Sequence, residues 1–206
     1  MYGKNFIIDF ETLGTDIVNG FPVVDCSYMT FDADRFTSDN PYTYEELLDS
    51  MQKIKFDVED YCTRFGYKPS KSTLQWWSTQ PPEARKQLKP LPSDLTVEEF
   101  ADKLVGYLQN NKPNFWWSRG NTFDPLVIYR IFDDINRTDE FAKLCKFWAL
   151  RDIRTYIDAK FDFNPKINNG FVVDEWKDKF VKHDSRHDVT VDILRLQLII
   201  RTNNED

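Results

Sequence analysis

The stretch Lys4-Asn5-Phe6-Ile7-Ile8-Asp9-Phe10-Glu11-Thr12 decides the fold. Its aromatic and β-branched residues up to Ile8 predict a strand. Asp9 closes the apolar run, and Glu11 follows two residues on. If the strand continues through them, a period of two puts both carboxylates on one face and turns Phe10 into the opposite layer. Two like charges held that close repel, and each favours its protonated form unless a cation sits between them. A strand end carrying two solvent-facing acids is the simpler alternative, and this segment alone leaves both open.

At 206 residues the chain is expected to form a single domain spanning 1–206, with a core that needs no staples. Aromatic residues make up 16%, enough for a core of rings and some half-exposed rings available for binding. A charged fraction of 30% and seven glycines exclude fibrous and disordered classes. The net charge of -7 counts against tight non-specific binding through phosphates. It leaves room for a nucleic-acid enzyme whose metal ions supply positive charge locally. Cys26, Cys62 and Cys145 are scattered with no CxxC spacing, as in a reducing cytoplasm. No leading apolar region or membrane-length run is present, so no membrane partner is expected.

Further along, Phe21–Phe31 reads as a second strand and Lys53–Phe56 as a third, completing an antiparallel meander. Tyr42–Met51 reads as a loop with a helical turn. Short helices are expected from Asp57 and over Glu83–Leu88, the latter after Pro81-Pro82. Thr96 and Glu99 have capping-box spacing, and Phe100, Leu104, Val105 and Leu108 give the helix that follows a buried stripe. Asn114–Ser118 reads as an aromatic strand, Arg119-Gly120-Asn121 as a turn, and Thr122-Phe123-Asp124 as the opening of a helix. A strand over Lys146–Leu150, a helix over Asp152–Phe161, a loop over Pro165–Gly170 and a long helix over Asp188–Arg201 complete the pattern. Three strands followed by alternating helices and strands predict an α/β fold with a mixed sheet, whose chemistry sits at the carboxyl ends of strands. Asp9, Glu11 and the Arg119–Asp124 turn all fall at such ends.

The two histidines, His183 and His187, share the stretch Lys182-His183-Asp184-Ser185-Arg186-His187-Asp188-Val189-Thr190-Val191-Asp192. His183 precedes Asp188 by five positions and His187 precedes Asp192 by five, so spacing alone allows two registers. Asp184 or Asp188 could simply cap the helix. Val189, Ile193 and Leu196 mark the buried side, and Asp188 and Asp192 lie near it. Inward-facing acids need a partner, for which a metal ion is the natural candidate.

Ile7-Ile8-Asp9-Phe10-Glu11-Thr12, then Asn121-Thr122-Phe123-Asp124, then His183 with Asp188, resemble the three exonuclease motifs of the DEDD superfamily in its histidine branch. Thr73-Leu74-Gln75-Trp76-Trp77-Ser78 with Glu83-Ala84-Arg85 resembles a bacteriophage exodeoxyribonuclease group of the exonuclease A type and related bacterial 3′-5′ exoribonucleases. The resemblance covers nearly the whole chain. It implies a ribonuclease H-like mixed five-stranded sheet with helices on both faces. It also implies hydrolysis of single-stranded DNA from a free 3′ end, releasing nucleoside 5′-monophosphates, with two Mg²⁺ or Mn²⁺ ions per site. Asp9, Glu11 and Asp188 would hold one ion, Asp9 would bridge to the second, and Asp124 would hold that second ion. Residues after the last acid in the resembled proteins match Val189, Asp192 and Ile193 when Asp188 is the ligand and His183 the base. The His187–Asp192 register fits that pattern less well.

Thr12 and Leu13 fall where the resembled proteins hold the terminal base and sugar, and Asn121 and Phe123 would border the scissile phosphate. Trp76 and Trp77 are expected to be one buried and one exposed, with Trp76 a stacking platform. Arg119 and Arg186 are candidate phosphate contacts, and Asp152 reads as a cap rather than a ligand. Two alternatives stand beside this reading: a 3′-5′ exoribonuclease, since the contact that reads a 2′-OH is not legible, and a non-catalytic nuclease-like binding domain. Sibling ribonucleases are often homodimers, which leaves oligomeric state open. The expected location is cytoplasmic, or host cytoplasm for a phage-encoded chain.

Overall fold

The computed structural model describes residues 3–161 and 170–202. The opening stretch forms β1 (Lys4–Thr12), which pairs antiparallel with β2 (Val23–Asp32). Next come α1 (Tyr44–Ser50), β3 (Gln52–Lys55), α2 (Val58–Phe65), α3 (Lys71–Ser78) and α4 (Pro82–Arg85). Then follow α5 (Val97–Asn111), β4 (Phe115–Ser118), α6 (Asp124–Asp134), α7 (Thr138–Leu144), β5 (Leu150–Asp152), α8 (Ile153–Lys160), α9 (Asp174–Lys177) and α10 (Ser185–Thr202). The strands lie in the order β3-β2-β1-β4-β5, antiparallel on the β3-β2-β1 side and parallel across β1-β4-β5. This is the mixed five-stranded, ribonuclease H-like sheet that the resemblance implies.

β1 is buried on both faces, and its period of two divides the core. Phe6, Ile8 and Phe10 pack with residues of α5 and α6, including Phe100, Leu104 and Ile128. Ile7 faces the other way, among Trp117, Ile153, Val189, Ile193 and Leu196. Helices therefore cover both faces. Each fully buried Ile, Leu or Val contributes about 1.5–3 kcal/mol. α10 supplies several of them, so it is fixed firmly against the face that carries Asp9 and Glu11. The capping box at Thr96 is present with both of its hydrogen bonds.

Several boundaries differ from expectation. Phe147–Ala149 is a 3₁₀ turn, and the strand starts only at Leu150, opposite Trp116. Its aromatic residues made Lys146–Leu150 resemble a strand, but Phe147 and Trp148 face water instead of alternating into the core. α10 begins at Ser185, three residues before the expected Asp188, because Asp184 accepts the Arg186 backbone N–H in a capping arrangement. The Glu83–Leu88 helix divides into α4 and a 3₁₀ turn over Lys86–Leu88. α7 was not anticipated, and residues 165–169 of the expected loop lie outside the described residues. Among the described residues no helix is long and apolar enough to cross a membrane.

Candidate active site

The face of β1 that carries Ile7 also carries Asp9 and Glu11, so both carboxylates look toward the start of α10. Glu11 is buried, and so is Asp124, the first residue of α6. Gly120, at φ +114, makes the turn after β4 in the left-handed region that favours glycine. The chain then enters α6, where Asp124 Oδ1 accepts the Phe10 backbone N–H at 3.1 Å. That bond fixes the third acid between the first two. Asp188, in the first turn of α10, completes the group, and its Oδ2 accepts the His183 backbone N–H at 2.7 Å.

The electrostatics follow from this crowding. Burial first, then Asp124, Asp188 and Glu11, hold the Asp9 carboxyl well above the usual carboxylate range. Burial, then Asp188 and Asp25, do the same to Glu11. Burial is also the leading cause that pushes Asp124 and Asp188 each up to about 7. Ligand atoms of Glu11, His183 and Asp188 lie within 4.8 Å of one another, close enough to hold one metal ion. Mutually repelling, buried and half-buried oxygen donors fit a hard divalent cation, which relieves the repulsion that raises them.

Acids raised by folding bind more protons folded than unfolded, so between about pH 4 and pH 7 their ionisation costs stability. In EDTA the thermal midpoint is expected to fall as pH rises through that window. A divalent cation should restore it at the alkaline end and do little at the acid end. A midpoint in EDTA that rises across the window would show that the acids do not repel in this way. Differential scanning calorimetry measures both arms.

His183 adopts φ +66, a strained conformation for a non-glycine residue. Several contacts hold it there. Besides Asp188, its carbonyl accepts a hydrogen bond from Gln87 Nε2, and its ring meets Trp76 edge-on at 4.6 Å. Burial, then Lys182, pushes its imidazole down to about 4. The other register is arranged differently. His187 Nδ1 is hydrogen-bonded to the Tyr44 hydroxyl at 2.6 Å, and Asp192 pairs with Arg119 and Arg195.

Among the predicted substrate contacts, Thr12, Phe123 and Trp76 line one cleft of about 410 Å³, along with Phe10, Glu11 and Thr73. Trp76 is 40% exposed, whereas Trp77 is buried and donates its Nε1–H to the Thr12 carbonyl at 3.0 Å. One tryptophan in and one out matches expectation. Leu13 instead packs with Val24, Trp77 and Ala84, because Trp77 draws this segment inward. Asn121 lies on the far side of the turn, where its N–H donates to Asp152 Oδ2 at 2.7 Å. Asp152 Oδ1 accepts from Thr155 N, so this acid is the N-cap of α8, as expected. The guanidinium of Arg119, expected at a phosphate, is engaged with Asp192, and that of Arg186 reaches Asp184 at 3.5 Å.

A buried polar group beside the acids was not anticipated. Asp25, opposite Glu11 in the β1–β2 register, accepts from Ser185 Oγ at 2.6 Å and lies 3.4 Å from Lys53 Nζ. Lys53 also donates to Asp184 at 3.1 Å and to Gln87 Oε1 at 3.3 Å, which ties β2 and β3 to the segment bearing His183. An acid between Val24 and Cys26 in a strand interior was the available signal.

A family model for the Rv2179c-like 3′-5′ exoribonuclease domain matches residues 4–194. The chain belongs to this family. It is a DEDD-superfamily 3′-5′ exonuclease. Within the wider group, the exodeoxyribonuclease of Enterobacteria phage T4 is 33% identical over 215 residues, covering 96% of this chain and 89% of the relative. Among solved structures, the zinc-bound E. coli exonuclease I complex with single-stranded DNA aligns at TM-score 0.58 and 16% identity. It covers 98% of this chain and 40% of the other. E. coli exonuclease I with a labelled oligonucleotide aligns at TM-score 0.60 and 15% identity, covering 98% and 42%. The family member described here thus spans about two-fifths of exonuclease I, and that likeness is one of fold.

Proposed function

We propose that this exonuclease removes nucleoside 5′-monophosphates from the 3′ end of single-stranded DNA, as a histidine-branch enzyme using two Mg²⁺ or Mn²⁺ ions. The carrying observation is the convergence of four carboxylates, Glu11 and Asp124 buried and Asp9 and Asp188 half-buried, with His183 beside Glu11 and Asp188. Asp9, Glu11 and Asp188 would hold one ion, and Asp9 with Asp124 the other. When bound, such ions neutralise the charge that develops on the attacking and leaving oxygens.

The rest of the chemistry belongs to the chain's own side chains. Burial keeps the His183 imidazole unprotonated at neutral pH, and its ring beside Glu11 and Asp188 would take the proton of the attacking water. Trp76 offers the terminal base a half-exposed ring, and Phe123, stacked on Phe21 at 5.8 Å, forms part of the wall facing it. The backbone at Thr12 is steadied by Trp77, which fixes the floor of the cleft.

Gln87 orients His183 from behind without reaching the cleft. Gln87→Ala is expected to lower kcat about tenfold with little change in KM, because a small displacement of a catalytic group costs up to about 10²-fold. A positioning role further requires that Gln87→Ala add nothing to a His183→Ala background. Additive losses in the double variant would assign Gln87 to stability alone.

The phage relative supports DNA as substrate, whereas the family description names exoribonuclease activity and supports RNA as the second reading. Parallel digestion of single-stranded DNA, duplex DNA and RNA with Mg²⁺, each with a 3′-blocked control, separates them. Faster turnover of single-stranded DNA is expected. A preference for RNA would transfer the proposal to the second reading, and digestion of the 3′-blocked strands would overturn both.

A further inference from the structure

A second groove, of about 450 Å³, opens on the other side of the Gly120–Asp124 turn, lined in part by Asn121, Pro125, Leu126, Tyr129, Phe147 and Trp148. Phe147 is 80% exposed, Trp148 63% and Tyr129 50%, so three rings stand in water on one surface. Exposed rings grouped in this way mark an interaction site. The adjoining segment is basic. Residues 143–154 carry Lys143, Lys146, Arg151 and Arg154 against one acid, Asp152, in a chain of net charge -7. Both oxygens of Asp152 are taken up by backbone N–H groups. Among the described residues none of these four cations enters an ion pair.

The groove neighbours the cleft along the chain. Phe123 lines the cleft, Asp124 belongs to the acid group, and Pro125 and Leu126 line the groove, so one turn of chain separates the two. The field of Arg154 also reaches Asp124, where it opposes the upward shift of that carboxyl.

We propose that Tyr129, Phe147 and Trp148, with Lys146 in the same groove wall, form an outer single-strand-binding surface for the nucleotides that precede the 3′-terminal one. This rests on the exonuclease reading of the cleft. Base faces stack on aromatic rings without regard to sequence, and Lys146 meets a phosphate between them. A protein with an acidic balance gains little from phosphates elsewhere, so attraction for a long strand concentrates where rings and local positive charge coincide.

The test has two independent arms. Fluorescence anisotropy without divalent metal measures binding of a long single-stranded deoxyoligonucleotide. Hydrolysis of a deoxydinucleotide with Mg²⁺ measures the cleft. Phe147→Ala combined with Trp148→Ala is expected to weaken strand binding about tenfold, the loss of roughly one base stack, while Trp148→Phe retains most of it. Unchanged binding in the double variant would overturn the proposal. So would sedimentation showing a wild-type dimer that the double variant splits, which would assign the rings to a second copy of the chain. Loss of strand binding as expected, with no dinucleotide hydrolysis even by the wild type, would support the surface and overturn the reading of the cleft.

Discussion

Asp9→Asn is expected to reduce metal-dependent digestion of a single strand by about three orders of magnitude or more. The carboxylate is proposed to bridge both ions, and such ions supply several kcal/mol of charge stabilisation, at tenfold in rate per ~1.4 kcal/mol. The same change has an opposite effect on the fold. Burial and four neighbouring acids hold Asp9 well above the usual carboxylate range, so a neutral side chain of equal size removes repulsion. The metal-free variant should therefore melt at or above the wild-type temperature, while the stabilisation that Mg²⁺ gives the wild type is largely lost. Asp188→Asn should follow it in activity. Its Oδ2 also accepts the His183 N–H, so part of its loss would come through displacement of the histidine. Initial rates with end-labelled DNA and calorimetry, with and without Mg²⁺, check both halves. Full activity in Asp9→Asn would remove the two-ion mechanism.

The second large effect separates the histidines. His183→Ala is expected to lower kcat by about 10²–10⁴-fold, the range for loss of a general base, with KM nearly unchanged. His187→Ala should keep turnover close to wild type and lose only about 1 kcal/mol of stability with the Tyr44 hydrogen bond. The reverse result would reinstate the register that pairs His187 with Asp192. Asp192 is paired with two arginines, Arg119 and Arg195, whereas the ligand atoms of Glu11, His183 and Asp188 converge on one another.

What the sequence made legible follows physical range. The alternation in Lys4–Thr12 is local, and it correctly turned Phe10 into the layer away from the face that Ile7 shares with the acids. The stripe of Phe100, Leu104 and Leu108 and the Thr96 cap are equally local, and so is Asp152 as a helix cap. Residues whose roles depend on distant partners were harder to read. Leu13 looks like a free side chain until Trp77, 64 positions later in the chain, closes over it. Arg119 reads as an available cation until α10 brings Asp192 against it. Asp25 and Lys53 belong to adjacent strands, and only the register of the sheet joins them to Ser185 and the His183 segment. Phe147-Trp148 misled in another way. Aromatic pairs favour strands, yet here they cover a water-facing groove.

A 5′-labelled single-stranded deoxyoligonucleotide incubated with the protein and Mg²⁺ tests the proposed chemistry most directly, with the products resolved by length and the released material identified by mass. A ladder that shortens one nucleotide at a time from the 3′ end, release of nucleoside 5′-monophosphates and arrest by EDTA are expected. Internal cuts, 3′-monophosphate products or undiminished digestion in EDTA would contradict it.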